Sequence, residues 1–361
     1  MTWKILDYDH LEFFVGNAKQ QAYYYRAALG FTLKAYAGLE TGVRTHASYL
    51  LQQGNIRFVL TTPLGPEHIA AEHIKKHGDG VRSITLQVDD CEAAYRDTLS
   101  KGATSVTAPH VVEDSSGSVK TASIATYGDT LHTFLERKNY KGIFLPGFEA
   151  IEKDILCRPT ELKFIDHVVG NVEWHKMNDW VDYYEKVFGF HRFWSVDDKT
   201  LHTEYSALNS TVVSDRSGKI KFPINEPAQG KRKSQIEEYC DYYRSAGVQH
   251  IAMHTNDIIE AVTKLTENGV EFLRIPASYY EALEQRVGKI DEDMKTLGKL
   301  GILVDRDEHG YMLQLFTKPI EDRPTVFLEV IQRKGAKSFG IGNFKALFEA
   351  IERDQAARGN L

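Results

Sequence analysis

Three residues far apart in the chain, His167, His250 and Glu329, are of the types that bind a metal. Each lies in a short β-rich run: FIDHVVG, VQHIAMHT and TVFLEVI. In each run the residues two positions away are apolar: Ile165 and Val169, Val248 and Ala252, Phe327 and Ile331. Side chains two apart in a strand share a face, so all three candidates point towards an apolar interior. A single inward histidine is usually a hydrogen-bonded core residue. A carboxylate in the middle of VFLEVI is harder to assign to a core, because burying it unpaired is expensive. Two imidazoles, one carboxylate and no thiolate suit Fe(II) or Mn(II) in the facial arrangement of non-haem oxygenases, which leaves positions open for reactants. A zinc hydrolase uses the same donors, but the sequence shows no general base to go with them. His254 lies two positions beyond His250 and could be a fourth donor; a solvated strand end explains it better.

The elements that must position these residues occur twice. DHLEFFVGN begins at Asp9 and DHVVGNV at Asp166, and each is followed by a Tyr-rich amphipathic stretch ending in Gly-Phe, at Phe31 and at Phe190. GVRSITLQVDD (residues 80–90) matches GVQHIAMHTND (residues 247–257) position by position, and HTFLER matches TVFLEV. The repeats thus pair His10 with His167, Ser83 with His250 and Glu136 with Glu329. Only the second half reads His, His, Glu, which places the chemistry there.

Each half reads strand, helix, then several strands, and then does so again, giving two βαβββ modules per half. In the second half the helical spacing of Trp180, Tyr184, Val187 and Phe188 predicts a helix over residues 176–188 that stops at Gly189. Asn256 or Asp257 can cap the helix IIEAVTKLTENG, whose Ile258, Ile259, Val262 and Leu265 form one stripe. EFLRI then reads as a strand, and residues 278–299 as a polar helix. The turn DEHG joins the strands ILVD and YMLQLFT. Residues 140–162, with two glycines and two prolines, read as the connection between halves. That connection divides the chain into residues 1–150 and residues 151–361. The end forms an amphipathic helix capped by Asn343, with Phe344, Leu347, Phe348 and Ile351 on one face.

At 361 residues the chain can hold two domains with cores of their own. Hydrophobic content of 42% and charge of 26% are those of a globular protein, and a net charge of −6 argues against nucleic acid as the main partner. No apolar run is long enough to span a membrane, and the N-terminus lacks the apolar segment of a secretory signal. Three scattered cysteines show no metal spacing and fit a reducing cytoplasm. FGIGNF lacks the third glycine of a dinucleotide fingerprint and precedes the last helix rather than opening a βαβ unit. Gln314 and Phe316 share a strand face and, with Phe327, suggest an aromatic wall holding an amide; from the strand pattern alone ordinary core is the better reading.

Several long stretches carry a resemblance to a known family: PINEPAQGKRKSQI (residues 223–236), GVQHIA (247–252), LGILVDRDEHGYMLQLFTKP (300–319), DRPTVFLEVIQR (322–333) and GIGNFKALFEAIE (340–352). With these, the chain resembles the 4-hydroxyphenylpyruvate dioxygenases of the vicinal-oxygen-chelate superfamily. The first half joins the resemblance through its repeat pattern rather than through motifs of equal strength. The resemblance implies an α+β fold of two tandem vicinal-oxygen-chelate domains, each a half-open β-barrel, with a C-terminal lid helix. It implies Fe(II) on His167, His250 and Glu329, with 4-hydroxyphenylpyruvate and O2 as partners of the reaction. Ser210, Asn225 and Gln249 match catalytic polar positions of the family. These three with Gln235, Gln314, Phe316, Phe327, Phe339, Asn343 and Phe344 match its substrate pocket. Strand alternation puts Gln249 on the face opposite His250. The implied reaction is oxidative decarboxylation of the substrate's own 2-oxoacid, followed by side-chain migration to homogentisate in tyrosine breakdown. A homo-oligomer is the expected state. The competing readings are hydroxymandelate synthase on the same scaffold, extradiol cleavage of a catechol, and a metal-free protein that sequesters small molecules.

Overall fold

The structure is a computed structural model that describes residues 3–196 and 207–360. Among the described residues, the strands form two curled mixed sheets of nine and eight strands. The first sheet is built from β1 (Ile5–Phe14), β2 (Thr32–Ala37), β3 (His46–Gln53), β4 (Ile56–Pro63), β5 (Gly80–Val88), β6 (Ser105–Asp114), β7 (Gly117–Ala125), β8 (Leu131–Glu136) and the short β9 (Glu149–Ala150). The second is built from β10 (Leu162–Asn171), β11 (His191–Val196), β12 (Ala207–Ser214), β13 (Lys221–Ala228), β14 (Gly247–Thr255), β15 (Leu303–Asp307), β16 (Gly310–Phe316) and β17 (Phe327–Lys334). β9 aside, the strand orders are the same: β6-β7-β8-β5-β1-β4-β3-β2 in one sheet, and β15-β16-β17-β14-β10-β13-β12-β11 in the other. Each sheet therefore joins two four-stranded modules through an antiparallel central pair, β1 with β5 and β10 with β14.

The crossover helices begin where short polar side chains satisfy first-turn amides. Asn17 caps α1 (Ala18–Ala27) and Asp90 caps α3 (Cys91–Ser100), with α2 (Ile69–His77) between them. α4 (Met177–Tyr183) opens the second half and continues as a π-turn, Tyr184–Phe188, up to Gly189. Ser234 caps α5 (Gln235–Tyr243) and Asp257 caps α6 (Ile258–Glu267), accepting from the Glu260 amide at 2.9 Å. Ile258, Val262 and Leu265 are buried, as their spacing predicts, and Ile259 packs against the same core.

Three local expectations are corrected. EFLRI contributes only an isolated bridge, Phe272 with Thr317. The polar helix over 278–299 is three short pieces, α7 (Ser278–Glu281), α8 (Leu283–Val287) and α9 (Met294–Leu300). Gly288 interrupts them, and a helix with so many solvent-facing polar residues has no continuous apolar stripe to hold it together. The final helix α10 (Ile341–Ala357) is preceded by Gly340 at its cap position, not by Asn343, whose side chain turns inward instead.

One buried apolar cluster runs through both sheets, from Phe13, Tyr25 and Phe58 in the first half to Phe222, Val248 and Leu313 in the second. The halves are also tied by polar contacts across the seam: His132 Nε2 with the Tyr184 hydroxyl at 2.7 Å, and the Tyr8 hydroxyl donating to the Lys221 carbonyl at 3.0 Å. A smaller cluster places Leu347, Phe348 and Ile351 of α10 against Phe316 and Phe327. The amphipathic face of the last helix thus lies on the open side of the second sheet.

Candidate metal centre and active site

The central strands β10 and β14 and their neighbour β17 bring His167, His250 and Glu329 together. Val169 stands opposite His250, His167 opposite Ala252, and Ala252 beside Glu329. One Glu329 carboxylate oxygen, Oε2, lies 3.2 Å from His167 Nε2 and 3.3 Å from His250 Nε2. All three ligand atoms lie within 4.8 Å of one another, and the residues are 3%, 9% and 1% exposed.

Their surroundings fix which atoms converge. His167 Nδ1 is 2.8 Å from Asp166 Oδ2, and His250 Nδ1 is 2.9 Å from Gln249 Oε1. Both partners are acceptors, so the ring protons lie on Nδ1 and the Nε2 lone pairs face Glu329. Two lone pairs and a carboxylate turned on one another in a buried space repel unless positive charge lies among them, a metal ion or, in its absence, a proton on His167 Nε2. The donor set therefore fits a divalent metal held by two imidazoles and one carboxylate oxygen. In the metal-free protein, burial pushes the Glu329 carboxyl up, but the neighbouring histidines outweigh it and hold it at about 2. Burial pulls His250 down; it pulls His167 down as well, but the Glu329 and Asp166 charges override it and raise that ring.

Asp166 is itself braced. Arg333 donates to both of its oxygens, at 2.8 and 2.9 Å, and Lys221 Nζ stands 3.7 Å away. The first half repeats this frame without the metal set. Arg137 donates twice to Asp9 at 2.7 Å, and Asp9 Oδ1 accepts from His10 Nδ1 at 2.7 Å. Sheet register then corrects the sequence pairing of the repeats. Thr85 stands beside Thr133 as Ala252 stands beside Glu329, so the counterpart of Glu329 is Thr133, not Glu136. Glu136 matches Gln332: each accepts at 3.0 Å from the first amide of the helix that follows the central strand, Cys91 and Ile258 respectively. The match of letters in FLE was three residues out of register. Where the second half has His250 and Glu329, the first has Ser83 and Thr133, whose hydroxyls bond each other at 2.8 Å.

A pocket of about 410 Å³, including its open mouth, lies over the three ligands. Ser210, Asn225, Gln314, Phe316, Phe339 and Phe344 line it. Ser210 and Asn225 are cross-strand partners on β12 and β13, and Phe339 stands edge-on to His167. Asn343 lies behind this lining and donates to Gln314 Oε1 at 2.8 Å. Gln235, Gln249 and Phe327 line a neighbouring pocket instead, reached from the α5 and α10 side. Phe327 forms the wall between the two: it stacks on His250 at 4.8 Å and meets Phe316 edge-on at 6.2 Å. His254 stacks on Phe164 at 4.4 Å, away from the ligand cluster, as a strand-end residue does. Residues the sequence did not single out include Trp194, which stacks on Phe344 at 6.0 Å, and the orienting pair Asp166–Arg333. The recurrence of Asp-His in both halves, with an arginine ending HTFLER and LEVIQR alike, was the signal for that pair.

Comparison with known proteins agrees with this geometry. The family "Hydroxyphenylpyruvate dioxygenase, HPPD, N-terminal" matches residues 4–148, and the "Glyoxalase/Bleomycin resistance protein/Dioxygenase superfamily" matches residues 165–315. A 4-hydroxyphenylpyruvate dioxygenase of Dictyostelium discoideum is 52% identical over 98% of this chain and 99% of its own length. This chain belongs to the 4-hydroxyphenylpyruvate dioxygenase family. The dioxygenase of Xenopus tropicalis is likewise 52% identical, over 99% of this chain and 93% of its own. Among solved structures, a triple mutant of 4-hydroxymandelate synthase from Streptomyces coelicolor superposes with a TM-score of 0.87. It is 28% identical and covers 97% of this chain and 99% of its own. The dioxygenase family is thus matched far more closely in sequence than the synthase that shares its fold.

Proposed function

We propose that this chain converts 4-hydroxyphenylpyruvate and O2 to homogentisate and CO2, the oxygenase step of tyrosine catabolism. The observation that carries this reading is the buried convergence of His167, His250 and Glu329 beneath a pocket lined by aromatics and a few polar groups. These three residues would hold Fe(II). When bound, the iron supplies O2 activation for oxidative decarboxylation and ring hydroxylation. The protein's own part is orientation and exclusion of water. Phe316 and Phe339, with Phe344 from α10, present flat apolar walls to an aromatic ring. Ser210 and Asn225 reach the pocket from β12 and β13 and offer donors to the ring hydroxyl. Gln314 holds Glu329 Oε1 at 3.0 Å, which keeps Oε2 turned to the histidines. Gln249 acts through His250, fixing its Nδ1 proton, while Gln235 and Phe327 serve the pocket from the adjoining space.

We assign residues 1–150 to a domain without a complete metal site, and residues 151–361 to the catalytic domain with its lid helix. No described helix is long and apolar enough to cross a membrane. Three free thiols, Cys91, Cys157 and Cys240, favour a cytoplasmic setting. The exposed edge strand β6, with Val106, Val111 and Val112 open to solvent, offers a surface for self-association, and gel filtration tests that. The deciding experiment for function is chromatography of the product formed from 4-hydroxyphenylpyruvate, Fe(II) and O2. Homogentisate is expected, and hydroxymandelate as the main product would overturn the assignment.

A further inference from the structure

Behind Glu329 lies a line of hydrogen bonds that leaves the pocket and ends on the surface. Gln314 Nε2 donates to Glu329 Oε1 at 3.0 Å, and Asn343 Nδ2 donates to Gln314 Oε1 at 2.8 Å. Asn343 Oδ1 in turn accepts from the Tyr279 hydroxyl at 2.6 Å. The Tyr279 oxygen accepts from Arg286 Nη2 at 2.6 Å and from the Val304 amide at 2.8 Å. Arg286 also donates to the Val304 carbonyl at 2.6 Å and to Asp305 Oδ1 at 3.0 Å.

The two ends of this line set its direction. A guanidinium can only donate and a carboxylate can only accept, so both amides between them have one allowed orientation. Tyr279 has a single proton. Its hydroxyl lies within reach of two acceptors, Asn343 Oδ1 and the Val304 carbonyl, both within 2.8 Å. The contact to Asn343 Oδ1 is the shorter, 2.6 against 2.8 Å, and the Val304 carbonyl already accepts from Arg286, so we place the Tyr279 proton on the Asn343 side. Every member then gives and receives in the same sense, from Arg286 to Glu329. The result at the site is that Oε1 of Glu329 is engaged and Oε2 is left to the histidines.

The line also crosses the start of α10. Asn343 is in its first turn, and the Gly342 amide donates to Asp305 Oδ2 at 3.1 Å, so Arg286 and the helix share one carboxylate. Two glycines permit this approach. Gly340 has φ +78°, and a Cβ there would collide with Gln314 Oε1; a Cβ on Gly342 would collide with Arg286 and Asp305. Arg286 and Tyr279 belong to the short helices inserted between α6 and β15, and neither lines the pocket.

We propose that Tyr279 and Arg286 are positioning residues: they hold Glu329 to the metal through a single oxygen and make that state depend on the seating of the lid helix. This rests on the metal reading of the preceding subsection, and the test separates the two. Metal-stripped protein is titrated with Co(II) alone, following affinity and visible absorption, and hydrogen exchange is measured over α10. Loss of a partner that orients a metal ligand typically weakens metal binding by about 10- to 100-fold. Tyr279→Phe and Arg286→Met should each weaken Co(II) binding about tenfold and speed exchange in the first turns of α10. They should also weaken the visible bands, because a released carboxylate can bind through both oxygens and raise the coordination number. Arg286→Lys should restore part of the affinity. The control is Tyr280→Phe, whose hydroxyl is buried with no hydrogen-bond partner among the described residues. It should change neither affinity nor spectrum. Wild-type affinity and spectrum in both Tyr279→Phe and Arg286→Met would overturn the proposal, as would an equal loss in Tyr280→Phe. If His167→Ala binds Co(II) as well as wild type does, the ligand assignment itself has failed.

Discussion

Replacing the two bracing arginines, one in each half, separates stability from metal binding. Arg333 and Arg137 make the same bidentate contact with a carboxylate that is 2% exposed in one case and fully buried in the other. Removing one partner of such a pair costs about 3–5 kcal/mol, because the other charge is left buried. A second cation remains near each carboxylate, Lys221 at 3.7 Å from Asp166 and Arg57 at 3.6 Å from Asp9, so the lower end applies. For a cooperative unit of about 150–250 residues, about 3 kcal/mol lowers the melting midpoint by roughly 6–12 °C. Arg333→Met and Arg137→Met should therefore destabilise to a similar degree. Their effects on metal should differ. Asp166 orients a ligand, so Arg333→Met should also weaken Co(II) affinity about tenfold or more. Asp9 orients only His10, whose Nε2 meets the Thr85 hydroxyl at 3.3 Å rather than a second imidazole or a carboxylate, so Arg137→Met should leave affinity intact. Scanning fluorimetry and metal titration on the same preparations provide both readings. An Arg137→Met protein that loses metal affinity as severely as Arg333→Met would refute the reasoning.

Other outcomes follow from the same geometry. One metal per chain is expected: His250→Ala should abolish or greatly weaken binding, while His10→Ala and Glu136→Ala should leave the metal content unchanged by elemental analysis. Turnover should proceed without added 2-oxoglutarate; formation of succinate in step with product would count against a substrate that carries its own oxoacid. Glu321 is pushed up to about 8 by burial and by the neighbouring Asp79 and Asp322, from 4.5 as an ordinary glutamate. A carboxyl raised on folding binds more protons in the folded state, so its contribution to stability is lost as pH rises from 4.5 through about 8. Glu321→Gln should accordingly raise the melting midpoint at pH 9 and leave it nearly unchanged at pH 4; equal shifts at both would refute the linkage.

The sequence alone picked out the repeat, the three residues His167, His250 and Glu329 that the fold brings together, and the face that α10 buries. Those features rest on local periodicities: alternation in FIDHVVG, VQHIAMHT and TVFLEVI, and helical spacing in the final segment. The family resemblance pointed to Ser210, Asn225, Gln314, Phe316, Phe339 and Phe344, which the structure brings to one pocket; the long motifs carry four of them, Asn225, Gln314, Phe316 and Phe344. What the sequence could not determine was anything set by pairing between distant strands. The counterpart of Glu329 is Thr133 because β8 pairs with β5 in a fixed register, and a shared FLE does not encode that register. Gln235, Gln249 and Phe327 line the adjoining pocket, where Phe327 packs flat on one face of the His250 ring and Gln249 bonds its Nδ1. Asn343 reads as a helix cap by its type, yet it lies in the first turn and turns inward, where Gln314 and Tyr279 satisfy both ends of its amide. Propensity and alternation act over a few residues, whereas register, side-chain stacking and a directed chain of hydrogen bonds exist only once remote segments have met.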